Sequence, residues 1–290
     1  MLRAGRQLRR ASEQAMASSY WDAELAERYR RFRYDFAERV LSGRVVVVAG
    51  GTGGLGAATV MLLAREGARL VVGYRANRKR AEALRKTIAE QFGQTLALVE
   101  GDLAEPAVRQ AYLETVAAQG APLAGAVIFP GVPARVQWES LDAAALEASL
   151  RANYVAPLLL AKELGTVMEH AASGGSIVLL ATMQAVAAFE SSLNYAVPKA
   201  ALVHAGRILA KQWRSVRVNV VAPGATVAGM AEASVSAGKY DPYLASGAIP
   251  RFGRPEDIAR AVRFFLEPDS YMTGQVLVVD GGLTLRRDRG

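Results

Sequence analysis

Residues 44–56, RVVVVAGGTGGLG, decide the architecture of this chain. Four consecutive valines make an apolar run without alternation, which suits a strand buried on both faces. The run ends in Ala49-Gly50-Gly51-Thr52-Gly53-Gly54-Leu55-Gly56, and a helical stretch, Ala57–Glu66, follows. Glycines let the backbone turn tightly and approach a ligand, while a helix start offers unpaired N–H groups and a positive dipole end. A lone glycine-rich turn is weak evidence. After the first strand of a strand–helix alternation it reads as a pyrophosphate-binding turn, here spaced G-x-x-x-G-x-G.

The alternation does continue. RLVVGY (69–74), TLALVEGD (95–102), AGAVIF (124–129), SIVLLAT (176–182), VRVNVVAPG (216–224) and QVLVVDGG (275–282) are further short apolar runs. Each gap between them is long enough for a crossover helix. The pattern predicts an α/β fold: a Rossmann-type, doubly wound, seven-stranded parallel sheet with helices on both faces. It occupies one dinucleotide-binding domain over 43–290, with a loop at 225–250.

Residues 1–42 differ and form an N-terminal helical extension. Arginines 3, 6, 9 and 10 precede the first acid, Glu13. Trp21, Leu25, Tyr29, Phe32, Phe36 and Val40 then recur every three or four residues, as on an amphipathic helix. The Arg-rich opening resembles an organelle leader, but Asp22, Glu24, Glu27, Asp35 and Glu38 argue against that for the whole segment. Those acids would also be repelled by anionic lipid, the rival partner for such a helix. The aromatic stripe is too large to leave in water, so a helix over 20–41 is expected to dock on the main domain or a neighbouring subunit.

Composition narrows the function. The chain has 290 residues, 51% of them hydrophobic, enough for a core without covalent staples. The absence of cysteine excludes disulfides, thiolate metal sites and a cysteine nucleophile, and suits the cytoplasm. His170 and His204 are too few and too far apart for a histidine metal site, so no metal is expected. No run of about 18 apolar residues is present to span a membrane. The net charge of +8 invites a nucleic-acid reading. The arginines do not cluster as a groove-reading helix needs, and a basic balance also suits phosphorylated cofactors.

A second stretch, NYAVPK (194–199), sets Tyr195 and Lys199 four residues apart, and its meaning depends on its neighbours. Gly101-Asp102-Leu103 follows strand three. Asn153 lies in RANYVAPLLL, Thr182 stands 13 residues before Tyr195, and Asn219-Val220-Val221-Ala222-Pro223-Gly224 ends strand six. The closing stretch is IPRFGRPEDIARAVRFFLEPDSYMTGQVLVVDGG (249–282). Together, and in this order, residues 43–290 resemble the short-chain dehydrogenase/reductase family, especially its 3-oxoacyl-[acyl-carrier-protein] reductase-like members. Ala49 replaces the threonine that usually opens the family's turn. Ile128-Phe129-Pro130-Gly131 stands where the family has N-N-A-G, whose first asparagine helps fix the central strand; only the glycine survives.

The resemblance implies a catalytic set of Asn153, Thr182, Tyr195 and Lys199. It implies cofactor contacts at Gly50, Thr52, Gly53, Gly54, Leu55 and Gly56, at Asp102 and Leu103 beside the adenine, and at Pro130 and Gly131. Pro223, Gly224, Thr226 and Val227 would lie beside the nicotinamide, with Tyr195 and Lys199. Tyr195 would donate a proton to a carbonyl oxygen as hydride arrives. An unperturbed tyrosine titrates near about 10, and a Lys199 ammonium on the same helix face favours its phenolate. By resemblance Lys199 also bonds the nicotinamide ribose. Pro198 is expected in the first helical turn, where no N–H is needed, with Tyr195 at the helix entrance. Thr182 would hydrogen-bond the substrate oxygen, or else pack at a strand end. Asn153 would hold a water leading to the lysine, or else serve as a hydrogen bonder within its helix.

Cofactor choice is read at the end of strand two, Gly73-Tyr74-Arg75-Ala76-Asn77-Arg78-Lys79. An acid for the ribose hydroxyls is missing there, and Arg75 and Arg78 suit a 2′-phosphate, with Tyr74 and Asn77 alongside. NADP (NADPH) is therefore expected, while Lys79 and Arg80 read as a solvated helix start. Met183, Gln184, Phe189 and Met230, with Tyr240, Tyr243, Leu244 and Ile249, suggest a mainly apolar substrate pocket or simply a packed lid. The expected partner is a small-molecule carbonyl substrate, a ketone or 3-oxoacyl compound. The family also implies a homodimer or homotetramer built on helices at about 142–170 and 195–213. The alternative is a catalytically silent dinucleotide-binding sensor or assembly subunit. A binding module has no need of the tyrosine–lysine pair, which speaks against it.

Overall fold

A computed structural model describes residues 39–286 apart from positions 135, 172, 191, 230 and 231, together with isolated positions 22, 24 and 27. The chain divides into two units, Met1–Glu38 and Arg39–Gly290. Most of the helix expected over 20–41, and Met230, lie outside the described residues. Leu41 belongs to the second unit: its side chain is buried in the core, and its N–H donates to the Glu66 carbonyl at 3.2 Å.

The elements run β1 (Val45–Ala49), α1 (Gly54–Arg65), β2 (Arg69–Tyr74), α2 (Arg78–Phe92), β3 (Ala97–Glu100), α3 (Pro106–Ala117) and β4 (Leu123–Ile128). Next come α4 (Ala143–Leu150), α5 (Ala156–His170), β5 (Gly175–Leu180), α6 (Leu193–Gln212) and β6 (Val216–Pro223). Two short helices, α7 (Glu232–Ser236) and α8 (Asp241–Ala245), precede α9 (Pro255–Leu266), β7 (Val276–Val279) and α10 (Leu283–Arg286). All seven strands pair in parallel in the order β3-β2-β1-β4-β5-β6-β7. β2 coincides with its apolar run, and the other strands are trimmed or shifted from theirs by one to three residues at an end, as where the glycines and Asp280 after β7 stay outside the ladder.

The valines of β1 explain the three layers. Successive side chains of a strand point to opposite faces. Val45 and Val47 join Leu160 and Leu164 of α5 and Leu202 of α6 in one core. Val46 and Val48 join Val60 and Leu63 of α1 and Val262 and Phe265 of α9 in the other. A strand covered on both faces has no polar side to show, hence the run of four valines. The strand order reverses beside β1, between β2 and β4, so a crevice opens at the C-terminal ends of β1 and β4. Among the described residues no helix is long and apolar enough to cross a membrane.

Two helices depart from the sequence reading, each at a proline. The long helix expected at about 142–170 is interrupted by a π-helical turn, Arg151–Val155, between α4 and α5. Pro157 has no N–H to give the Asn153 carbonyl four residues back, and a one-residue bulge here relieves the ladder. Pro198 was expected in the first turn of its helix. The structure corrects this: α6 begins at Leu193, which makes Tyr195 its third residue and puts Pro198 inside the helix. The Asn194 carbonyl therefore loses its helical donor too.

Candidate active site

The turn after β1 is shaped by what its glycines exclude. A Cβ on Gly56 would sit 2.3 Å from the Gly50 carbonyl oxygen, and one on Gly54 would sit 2.8 Å from Ala228 and from the Gly229 nitrogen. Gly53 caps α1 with no side-chain hydrogen bond, so the first N–H groups of the helix have no capping side chain. That cradle fits a pyrophosphate. Thr52 is buried beside it. Asp102 accepts from the Ala104 N–H at 2.9 Å in a local turn, and Leu103 is buried in the core.

At the end of β2, Arg75 and Arg78 are exposed. Asn77 caps α2, accepting from the Arg80 N–H at 2.9 Å. Reading strand two alone missed an acid supplied by β3. Glu100 accepts from the Tyr74 hydroxyl at 2.8 Å and lies 3.8 Å from the Arg78 guanidinium. Its position is set by the β2–β3 register, Tyr74 opposite Glu100, which is a pairing and not a motif.

The crevice at the strand ends is a cavity that brings together Thr182, Tyr195 and Lys199 with Met183, Gln184, Phe129, Leu55, Pro223, Gly224 and Thr226. Lys199 is 1% exposed. Its ammonium donates to the carbonyl of Leu180, the last residue of β5, at 2.9 Å and to that of Pro130, just beyond β4, at 3.3 Å. Burial pushes its pKa down to about 7. Thr182 continues from β5, and its hydroxyl accepts from the Gln184 N–H at 3.3 Å.

Asn153 is fully buried behind the cavity and holds the loop after β4 through the Val132 N–H, which its Oδ1 accepts at 3.0 Å. A Cβ on Gly131 would lie 2.5 Å from that oxygen and 3.1 Å from the Lys199 Nζ. The one glycine retained at 128–131 is thus the one that the site's packing requires. Ile128 is buried in the core, and the Phe129 N–H donates to the Ala49 carbonyl at 3.1 Å.

Phe189 does not line this cavity; it lies on a neighbouring groove with Trp138, Leu193 and Val197. Val227 is half exposed, near the bridge between Thr226 and Gly253. Tyr240 lines the cavity as expected, while Glu190, Ser192 and Lys239 also line it and make it more polar than the expected apolar pocket. They come from the segment before α6 and the turn between α7 and α8, where no periodicity announces a pocket. Ser149 and Asn194 were also missed, as single polar residues inside helical stretches.

A doubly wound parallel sheet with a glycine cradle at its switch point defines a dinucleotide-binding protein. Residues 49–284 match a family model described as enoyl-(acyl carrier protein) reductase. The chain is 31% identical to carbonyl reductase family member 4 of Danio rerio over 248 residues, 83% of this chain and 98% of that protein. It is 30% identical to D-threitol dehydrogenase of Mycolicibacterium smegmatis over 252 residues, 85% of this chain and 95% of that one. The solved structure of levodione reductase superposes with a TM-score of 0.76 at 27% identity, covering 84% of this chain and 98% of that chain. This chain belongs to the short-chain dehydrogenase/reductase family: it is an oxidoreductase of CH–OH and C=O groups, and the family uses a nicotinamide cofactor, NAD(P).

The buried lysine makes a pH-dependent prediction. Unfolded lysine titrates near about 10.4, so between about 7 and 10 the unfolded chain binds more protons than the folded one, and folding gains stability as pH rises. The melting temperature of the cofactor-free protein, measured relative to Lys199→Met, should therefore rise by about 5 °C or more between pH 7 and pH 9. A difference that stays flat across this range would mean that Lys199 keeps its proton despite burial.

Proposed function

We propose that this protein reduces a ketone or 3-oxoacyl-type carbonyl to an alcohol with NADPH, Tyr195 being the proton donor. The carrying observation is that Tyr195, Thr182 and the buried Lys199 face one cavity at the switch point, beside the glycine cradle. The cofactor, when bound, supplies the hydride. On this reading the Tyr195 hydroxyl gives its proton to the substrate oxygen, and the Thr182 hydroxyl holds that oxygen in place. Lys199 favours the phenolate that remains, and Asn153 fixes the loop on which the lysine's acceptor carbonyl lies. Gly50, Thr52, Gly53, Gly54, Leu55 and Gly56 would hold the pyrophosphate, and Asp102 and Leu103 the adenine. Arg75 and Arg78, exposed at the end of β2, would take the 2′-phosphate. The cysteine-free sequence suits a reducing compartment such as the cytoplasm.

Tyr195→Phe should leave NADPH binding, followed by fluorescence, near the parent value while carbonyl-dependent NADPH oxidation falls by about 10²-fold or more. Equal turnover in both proteins would remove Tyr195 from the reaction. A parent that binds NADPH yet turns over no carbonyl compound would instead favour the sensor or assembly role.

Arg75→Ala combined with Arg78→Ala should weaken NADPH by about tenfold or more and hardly change NADH, since a charged hydrogen bond contributes about 1.5–3 kcal/mol. Matching losses for the two cofactors would show that these arginines do not read the phosphate.

The assembly reading is an even-numbered homo-oligomer, dimer or tetramer. Leu146, Leu150, Val155, Leu193, Val197 and Ile208 are exposed apolar side chains along α4, the π turn and α6, the helices on which that assembly would be built. Light scattering at micromolar concentration should give a dimer or tetramer mass; a monomer would contradict the assignment.

A further inference from the structure

Ser149, near the end of α4, is 2% exposed and has no place among the residues that line the cavity. Its hydroxyl donates to the carbonyl of Asn194 in α6, the residue just before Tyr195. In an unbroken helix that carbonyl would accept from the N–H four residues on, but residue 198 is a proline and has none. Ser149 supplies the missing donor from another helix.

A hydroxyl has one proton to give. Once that proton is committed to Asn194, the Ser149 oxygen is an acceptor, and it accepts from the Asn153 Nδ2 at 3.1 Å. This fixes which way the Asn153 amide faces: nitrogen toward Ser149, Oδ1 toward the Val132 N–H at 3.0 Å. The loop so held carries the Pro130 carbonyl that accepts from Lys199. One oriented chain of hydrogen bonds therefore runs from the helix turn that carries Tyr195 to the loop against Lys199. Asn194 adds a second tie to the same loop, donating to the Ala134 carbonyl at 3.2 Å.

We infer that Ser149 is a positioning residue for the reaction proposed above: it replaces the N–H that Pro198 lacks and, with the same oxygen, orients Asn153 toward the loop beside Lys199. The inference rests on that reading for its catalytic consequence, while the hydrogen-bond substitution stands on geometry alone.

The test is a double-mutant cycle of Ser149→Ala and Pro198→Ala in the full chain, with Ser149→Cys as an isosteric control whose thiol is a weak donor. Without substrate, Ser149→Ala should lower the melting temperature by about 3–8 °C, because a buried carbonyl and amide lose their partner. In the Pro198→Ala background the loss should be less than half as large, since the restored N–H serves Asn194. Additive losses would overturn the substitution of donors.

With NADPH and ethyl acetoacetate as a 3-oxoacyl probe, Ser149→Ala and Ser149→Cys should both lower kcat by about tenfold while KM for NADPH stays within about twofold. A Ser149→Cys protein at the parent rate would mean that Ser149 only fills space. A parent inactive on the probe would count against the carbonyl reading, and the thermal cycle would still decide the role of Ser149.

Discussion

A lysine ammonium with almost no solvent around it constrains everything near the crevice. A buried cation needs acceptors on the protein, or it gives up its proton. Lys199 has two, the carbonyls of Leu180 and Pro130, and these come from the ends of adjacent strands. The sheet must therefore bring β4 and β5 to the same level, and α6 must run close enough for a side chain to reach between them. Gly131 has to stay small to make room. Desolvation favours the neutral amine and pushes its pKa down to about 7, so the group can change charge near neutrality, while the two carbonyls are the acceptors that its ammonium form needs.

The same region uses proline in an unusual economy of backbone. Pro157 frees the carbonyl of Asn153 and Pro198 frees that of Asn194, so the two helices flanking the cavity each lose a rung close to the site. A lost rung in a buried helix must be answered by another donor or by altered helical geometry. The first meets a π turn and the second a serine from the neighbouring helix. The serine ties α4 to α6, and the Asn153 amide of the π turn joins the same hydroxyl. The exposed apolar residues of the same helices remain free for other contacts.

The sheet was legible because burial on both faces writes itself as uninterrupted apolar runs, and RVVVVAG is the clearest of them. The glycine turn was legible because its spacing and place in the alternation are local. What escaped notice depends on side chains that meet only after folding. Glu100 reaches Tyr74 and Arg78 because β3 pairs with β2 in one particular register, and strand two by itself carries no trace of that acid. Pro198 looks like a first-turn proline in the sequence, whereas the helix begins five residues earlier at Leu193. Ser149 is one small polar residue in an alanine- and leucine-rich helix, and nothing in its neighbourhood of sequence marks it.

The apolar segment Ile128-Phe129-Pro130-Gly131 can be understood on the same terms. What this structure takes from the segment is mostly backbone: the Phe129 N–H for Ala49, the Pro130 carbonyl for Lys199, and the space left by Gly131. Backbone groups are indifferent to the side chain they belong to, provided that the chain follows the same path. Ile128 then only has to fill volume in the core beneath, which an apolar residue does without needing a partner. The path beyond is held from the other side, by Asn153 at Val132 and Asn194 at Ala134. The lysine's carbonyl acceptor therefore stays in place without an asparagine in this segment, because α6 and the π turn anchor the path beyond it.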